Sequence, residues 1–415
     1  MKSVFNKKVL YIYMLIYVIV SIILSRNTMI ESCIIGFEKS FLICGILAIP
    51  LYVVFLKKII KKEISIKNFK SVGLFLFSLM VVIIIKRDWQ LYNIPVLFYI
   101  TTGIIVSTLI DFEKFKEHYI NIMFVLAIAS LLVTYIAKPI LIEMNIQEEL
   151  EKYNLIVTNP CEYKFLNLGL GFAMFQKDYI RNYGIFSEPS YYQFYLTVAI
   201  VIILFLKEKK KKWDWIKLSV FIVTMFTTFS AAAIVVLAIL AILYLTKLVY
   251  DNRKDKRKVI MILVICLVAI MALLAIKSVR NYIVMSYNKI TTVNESSTSR
   301  YGSLRFTIEK TIKSPIIGNK LSEITTYKDS ITNTTFAISA IYGIIPLFYS
   351  LYFTFKFASS NKKNSTKLSL VITAIIVLSY NSHFYIGIQS FWMILLSANK
   401  LCKTGETNNE NSLDS

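Results

Sequence analysis

Arg181-Asn-Tyr-Gly-Ile-Phe-Ser-Glu-Pro-Ser190 runs without interruption into the apolar stretch Tyr191–Leu206. A cation, a turn glycine, a carboxylate and a helix-starting proline therefore stand where an apolar run begins. A run of this kind approaches the ~20 residues that cross ~30 Å of hydrocarbon. Ionisable groups at that depth are expensive to keep, so they mark a functional-site hypothesis.

The same pattern recurs along the chain. Of its 415 residues 56% are apolar, and its mean hydropathy is +0.61. Charge gathers in short clusters between apolar runs, whereas a soluble domain of this length would carry charged helix faces throughout. The expected fold is an all-α polytopic membrane bundle. Its twelve spans fall at roughly 9–25, 40–56, 70–86, 93–110, 119–137, 190–206, 214–228, 230–249, 259–277, 335–356, 367–381 and 384–400. The stretch 214–249 is too long for one helix at ~1.5 Å per residue, so it splits at Thr227-Thr228-Phe229-Ser230. The stretch 367–400 splits likewise at Asn381-Ser382-His383. Residues 1–403 form one transmembrane domain with two large outer loops, about 138–189 and 278–334, followed by a polar tail, 404–415. The first run, Val9–Ser25, follows Lys2, Lys7 and Lys8 as a signal peptide would. It lacks a small-x-small cleavage site and reads as an uncleaved span.

The net charge is +22. Its distribution argues against a nucleic-acid partner, because Lys57-Lys58, Lys61-Lys62, Lys207–Lys212, Arg253–Lys258 and Lys362-Lys363 all lie between spans. That is the layout of cytoplasmic loops obeying the positive-inside rule and touching anionic lipid. With the N-terminus inside, 29 of the 47 Lys and Arg are cytoplasmic. Of the 18 outside, 14 sit in the two long loops, where the charge rule does not operate. Both termini are thus expected to be cytoplasmic. The five cysteines show no CxxC or other metal spacing and read as small hydrophobes, with no disulfide framework expected.

Arginine is distributed differently from lysine. The chain has 39 Lys and eight Arg, yet six of the eight Arg are external: Arg26, Arg87, Arg181, Arg280, Arg300 and Arg305. Lys is a solvated point charge, whereas Arg offers a rigid fork that grips phosphate or carboxylate at two points. Recognition of an external anion is the expectation. The loops differ too: 138–189 carries five cations against seven acids, and 277–334 carries nine against four.

Three passages, taken in order, resemble the Wzy-type O-antigen and capsule polymerases and the related O-antigen ligases, and the shared layout covers most of the chain. Arg181-x-x-Gly184-x-Phe186-x-Glu188-Pro189 is similar to the element that ends that family's first large loop. Ser299-Arg300 followed by Ser314-Pro315-Ile316-Ile317-Gly318 is similar to its second-loop element. Thr227–Ser230 is similar to its turn between paired helices. The chain departs from the pattern at Ala231, where a basic residue often follows the turn, and at Lys320, where a second glycine is expected. The second loop has no histidine. The two histidines, His118 and His383, lie elsewhere, which favours polymerase over ligase.

The resemblance implies a metal-independent bacterial glycosyltransferase of the cytoplasmic membrane, acting without a cofactor at the outer leaflet. Its substrates would be polyprenyl-diphosphate-linked oligosaccharide units. Its partners would be membrane lipids, a chain-length regulator and a flippase. Transfer needs cations for the leaving diphosphate and a base for the acceptor hydroxyl. Arg181 is the first candidate for the diphosphate, then Arg300, then Arg305. Glu188 is the candidate base or the group that orients Arg181, and Gly184, Pro189 and Gly318 shape the turns. Ser187-Glu188-Pro189 also reads simply as a helix start. Tyr183, Tyr191 and Tyr192 read as interface tyrosines before sugar-stacking ones, and His383 as an interfacial hydrogen-bonding group before a catalytic one. Ligase-type transfer to another acceptor, or a polysaccharide flippase, remain the alternatives.

Overall fold

The structure is a computed structural model. It describes residues 7–61, 63, 66–88, 93–159, 162–175, 181–251, 295–325 and 331–399, with isolated positions between 255 and 284. The side chains of 295–300 lie outside the described set, as do the expected span 259–277, apart from isolated positions, and the tail 404–415.

The chain is mainly helical. Helices α1 (Lys7–Ile23), α2 (Phe37–Ile60), α3 (Ile66–Lys86), α4 (Asn93–Leu109) and α5 (Phe112–Leu132) come first. The first large loop adds α6 (Lys138–Glu143) and α7 (Gln147–Lys152). Then follow α8 (Pro189–Val201), α9 (Lys212–Thr227), α10 (Ala231–Asp251), α11 (Glu295–Lys313) and α12 (Leu321–Thr325). The set ends with α13 (Thr334–Tyr342), α14 (Ile344–Ala358), α15 (Thr366–Tyr380) and α16 (Gln389–Leu396). Short π-helical turns extend α5 and α8, at Val133–Ala137 and Ile202–Leu206.

Among the described residues four helical segments are long and apolar enough to cross a membrane: Phe37–Ile60, Phe112–Glu143, Pro189–Leu206 and Ala231–Tyr250. The segment Pro189–Leu206 is the centre of the bundle, almost wholly buried, whereas most residues of the other three are not. Those three turn apolar side chains outward. On α2, Leu42, Ile46, Ile49, Val53, Leu56 and Ile60 are all exposed at helical spacing. Such a stripe is stable only against an apolar medium.

Three expectations are corrected. The fold is not purely α, because the first loop forms an antiparallel sheet of β1 (Ile156–Thr158), β2 (Lys164–Asn167) and β3 (Phe172–Met174), with Val157 opposite Phe165 and Leu166 opposite Ala173. The run 335–356, expected as one span, is broken at Gly343 into α13 and α14. The run 384–400 keeps only the short helix α16 after an irregular segment. The break at Gly343 has a local cause. Gly343 and Gly318 both hold positive φ, +85° and +73°. A Cβ on either would collide with the backbone facing it, at Ile316 and Ile341 respectively. The turn Pro315–Gly318 therefore docks flush on the helix break, sealed by Ile344 N–H donating to Pro315 O at 2.8 Å and Asn319 N–H to Ala340 O at 2.8 Å.

The bundle has two distinct ends. Helix α8 starts at Pro189 beside Asn27 and His383. It finishes where Lys116 Nζ donates to Leu206 O at 2.8 Å and Asn361 Nδ2 to Phe205 O at 2.9 Å. Arg26 and Arg181 lie at the first end, and Lys207–Lys212, Lys247 and Lys363 at the second.

Candidate functional site

The segment 181–188 is irregular, turning at Tyr183–Phe186, and is held by backbone hydrogen bonds from two sides. Phe172 N–H donates to Gly184 O at 2.8 Å, Met29 N–H to Ile185 O at 2.7 Å and Ser187 N–H to Asn27 O at 2.9 Å. Gly184 has φ +60°, and a Cβ there would sit 2.8 Å from the Tyr192 ring. Glycine is required on both counts. Asn182, fully buried, ties the segment to the turn between α9 and α10. Its N–H donates to Thr227 O at 2.9 Å, and its Nδ2 to Ser130 Oγ at 3.0 Å and Thr227 Oγ1 at 3.2 Å. Arg181 is thereby set on that turn, where its Nη2 donates to Phe229 O at 2.9 Å. Phe229 itself has φ +49°, the conformation that allows a four-residue reversal. The split expected at Thr227–Ser230 falls between the last residue of α9 and the first of α10.

Glu188 is the N-cap residue of α8, with Pro189 at the first helical position as that residue prefers. The Glu188 side chain makes no capping bond. Instead its Oε2 lies 3.1 Å from His383 Nε2, the carboxylate 54% exposed and the imidazole 9%. Ser190 Oγ hydrogen-bonds the same ring nitrogen. Tyr191 stacks on the imidazole at 4.1 Å between ring centres, and Tyr385 packs edge-on against Tyr191 at 5.2 Å. The backbone of His383 is fixed by Thr334 Oγ1, which donates to its carbonyl at 2.5 Å. A buried imidazole thus backs a carboxylate that opens to solvent. Because Ser190 and Glu188 share Nε2, this is not a nucleophile–base–acid relay, in which the base uses both ring nitrogens. It suits a carboxylate that takes a proton from an incoming hydroxyl while the imidazole fixes its position.

Other expected residues lie apart from this pair. Arg305 is exposed on α11 and pairs with Glu309 on the same helix at 2.9 Å. Arg300 lies on α11 too, but its side chain is outside the described residues. Gly318 shapes the docking turn on Gly343. Tyr183 and Tyr192 are core side chains: Tyr183 packs against Phe165 at 5.1 Å and Tyr192 against Phe186 at 5.3 Å. Only Tyr191 of the three tyrosines reaches the imidazole.

The sequence did not signal the union of His383 with Glu188, nor the anchoring role of Asn182. Its one clue was the scarcity of histidine. A second carboxylate at this end, Glu31, is buried in the π-helical turn Ile30–Ile35, next to the Thr28 that bridges Phe186. Burial pushes its pKa up to about 7, against a smaller downward pull from Arg26. Among the described residues no group of three His, Cys, Asp or Glu side chains is placed to hold a metal ion. Compared with known proteins, the chain matches no family model, no curated protein and no solved structure.

Proposed function

We propose that this chain is a membrane glycosyltransferase that polymerises polyprenyl-diphosphate-linked oligosaccharide units into a surface polysaccharide at the outer leaflet of a bacterial cytoplasmic membrane. The observation that carries the reading is the pairing of Glu188 with His383, Glu188 belonging to the same segment, 181–188, that sets Arg181 on the α9–α10 turn. Polymerase-like sequence features thus coincide with a preorganised carboxylate and a cation at one end of the bundle. In the proposed reaction an acceptor sugar hydroxyl attacks the anomeric carbon of the donor sugar. The bond from that carbon to the diphosphate oxygen breaks, and the electron pair leaves with the diphosphate. Glu188 takes the hydroxyl proton, and Arg181, with Arg300 as the second candidate, offsets charge on the leaving group. No cofactor is called for.

Ligase-type transfer has one observation in its favour: His383 supplies an imidazole at the site although the second loop has none. The two readings differ in product. The test is the glycan profile of a strain lacking the chain, rescued with wild type or with Arg181→Ala. Polymerisation predicts single repeat units in the deleted strain and ladders restored only by the wild type. Full-length polymer retained on its lipid carrier would instead mean ligation, and units stalled on the inner leaflet would mean a flippase.

A further inference from the structure

Helix α13 begins against the turn that carries His383, and its first turn is capped from outside. Asn333 is the N-cap residue. Asparagine is favoured there because its side chain can accept the N–H of the second or third helical residue. Here it makes no such bond. The second N–H of α13, that of Thr335, donates instead to Asn381 Oδ1 at 2.9 Å, and the Thr335 hydroxyl donates to the same oxygen at 2.7 Å. A residue just past α15 thus caps α13, and the Asn333 side chain is left for another partner.

That partner is α11. Ser303, Thr307 and Thr311 recur at four-residue spacing, which puts them on one face of the helix, and Ser303 and Thr307 are fully buried. Thr307 Oγ1 donates to Asn333 Oδ1 at 3.3 Å, and Asn333 Nδ2 to Ser303 Oγ at 3.4 Å. The N–H of Thr332 donates to the same Ser303 hydroxyl at 3.1 Å. Further along, the hydroxyls of Thr311 and Ser339 join α11 to α13 at 2.9 Å.

Thr334, also fully buried, reaches the other way. Its hydroxyl proton is shared between His383 O at 2.5 Å and Tyr380 O at 3.2 Å, and its oxygen accepts the N–H of Tyr385 at 2.9 Å. One hydroxyl therefore ties both ends and the middle of the turn 380–385. Asn333 and Thr334 together form a two-residue bridge from α11 to the imidazole that backs Glu188. In a buried network, leaving one member unpaired is costly, so the bridge holds its two sides in register.

We propose that Asn333 and Thr334 are positioning residues, which make the placement of His383, and through it of Glu188, depend on α11 being seated on α13. Neither touches the reacting atoms. What the pair does rests on the polymerase reading, and how it is held does not. Displacement of α11 thereby resets the base.

The test exploits the two histidines of the chain. Full-length protein carrying isotope-labelled histidine in nanodiscs gives two imidazole signals by nuclear magnetic resonance, and the one lost in His383→Gln is that of His383. Glu188→Gln supplies the reference for an imidazole without its carboxylate. Thr334→Val keeps the shape and loses the hydroxyl, and Ser303→Ala alters a residue bonded to neither His383 nor Thr334. Both are expected to move the His383 signal from the wild-type position towards that reference. Thr334→Ser, which keeps the hydroxyl, and Lys313→Gln, at the exposed end of α11, are expected to stay at the wild-type position. In chain extension, Thr334→Val and Ser303→Ala are expected to lose about tenfold in kcat with acceptor KM unchanged, and Thr334→Ser to restore it. An unmoved His383 signal in Thr334→Val or in Ser303→Ala overturns the proposal. Signals that move as expected while no form extends chains, wild type included, remove the polymerase reading and leave the positioning standing.

Discussion

Glu188 and His383 meet at 3.1 Å although one opens helix α8 and the other lies in the irregular segment after α15. The carboxylate faces solvent and the imidazole is buried behind it. That arrangement fixes the carboxylate in place while leaving it exposed to solvent, as the proposed base would need. Glu188→Gln is therefore expected to lower polymer formation about a hundredfold or more with little change in membrane level. His383→Gln, whose amide nitrogen can take the place of Nε2 toward Ser190 or Glu188, is expected to lose less than His383→Ala. The rate of chain extension in membranes carrying each variant is the measurement. Equal activity in all of them would make the pair purely structural.

The glycine at 184 carries a stability prediction. Gly184→Ala forces a side chain into the left-handed region, at about 1 kcal/mol, and drives its methyl into the Tyr192 ring. The total expected loss is about 2 kcal/mol, seen as a lower thermal midpoint in detergent. Gly343→Ala is expected to be worse, because its methyl meets backbone at Ile316 where no side chain can swing aside.

The raised pKa of Glu31 gives a pH dependence of definite sign. Its ordinary value of 4.5 is raised to about 7 in the fold, so the native state binds the proton more tightly than the unfolded chain. Stability is unaffected below the unfolded value, falls as pH rises from 4.5 towards about 7, and carries the full penalty above that. The thermal midpoint of Glu31→Gln is expected to lack this fall. Wild-type and variant midpoints measured across the same pH series check it.

At the other end, Lys207 is expected to be a stability hub. Lys207→Met leaves Asp214, 2% exposed, as a buried charge without its cation, a loss of about 3–5 kcal/mol. Adding Asp214→Leu to that variant is expected to recover most of the loss. A thermal-midpoint comparison of the single and double variants tests this.

The helical elements were legible where apolar runs were long and bounded by charge. Examples are the runs expected at 190–206 and 230–249, whose helices start within a residue, at Pro189 and Ala231, and the reversal expected at Thr227–Ser230. The break at Gly343 was not legible, because its cause is the Pro315–Gly318 turn, which arrives from outside the apolar window. The β-sheet was missed because three strands of three or four residues give too short an alternation to stand out from a loop. At the site, Arg181, Gly184 and Glu188 were legible because one short segment carries them all. His383 was not, because its partner is set by how α15 packs on α8, a tertiary fact with no local signature. Arg305 stood out by residue type, yet in the fold it spends its guanidinium on Glu309.

The most direct test of the central claim is reconstitution of the purified chain in vesicles with a polyprenyl-diphosphate-linked repeat unit. Free polyprenyl diphosphate and polymer length are measured together. The expected result is one carrier diphosphate released per bond formed by the wild type, with release and extension both lost in Arg181→Ala and Glu188→Gln. Vesicles in which lipid-linked units cross the bilayer but never lengthen, or in which both variants extend chains at the wild-type rate, would contradict it.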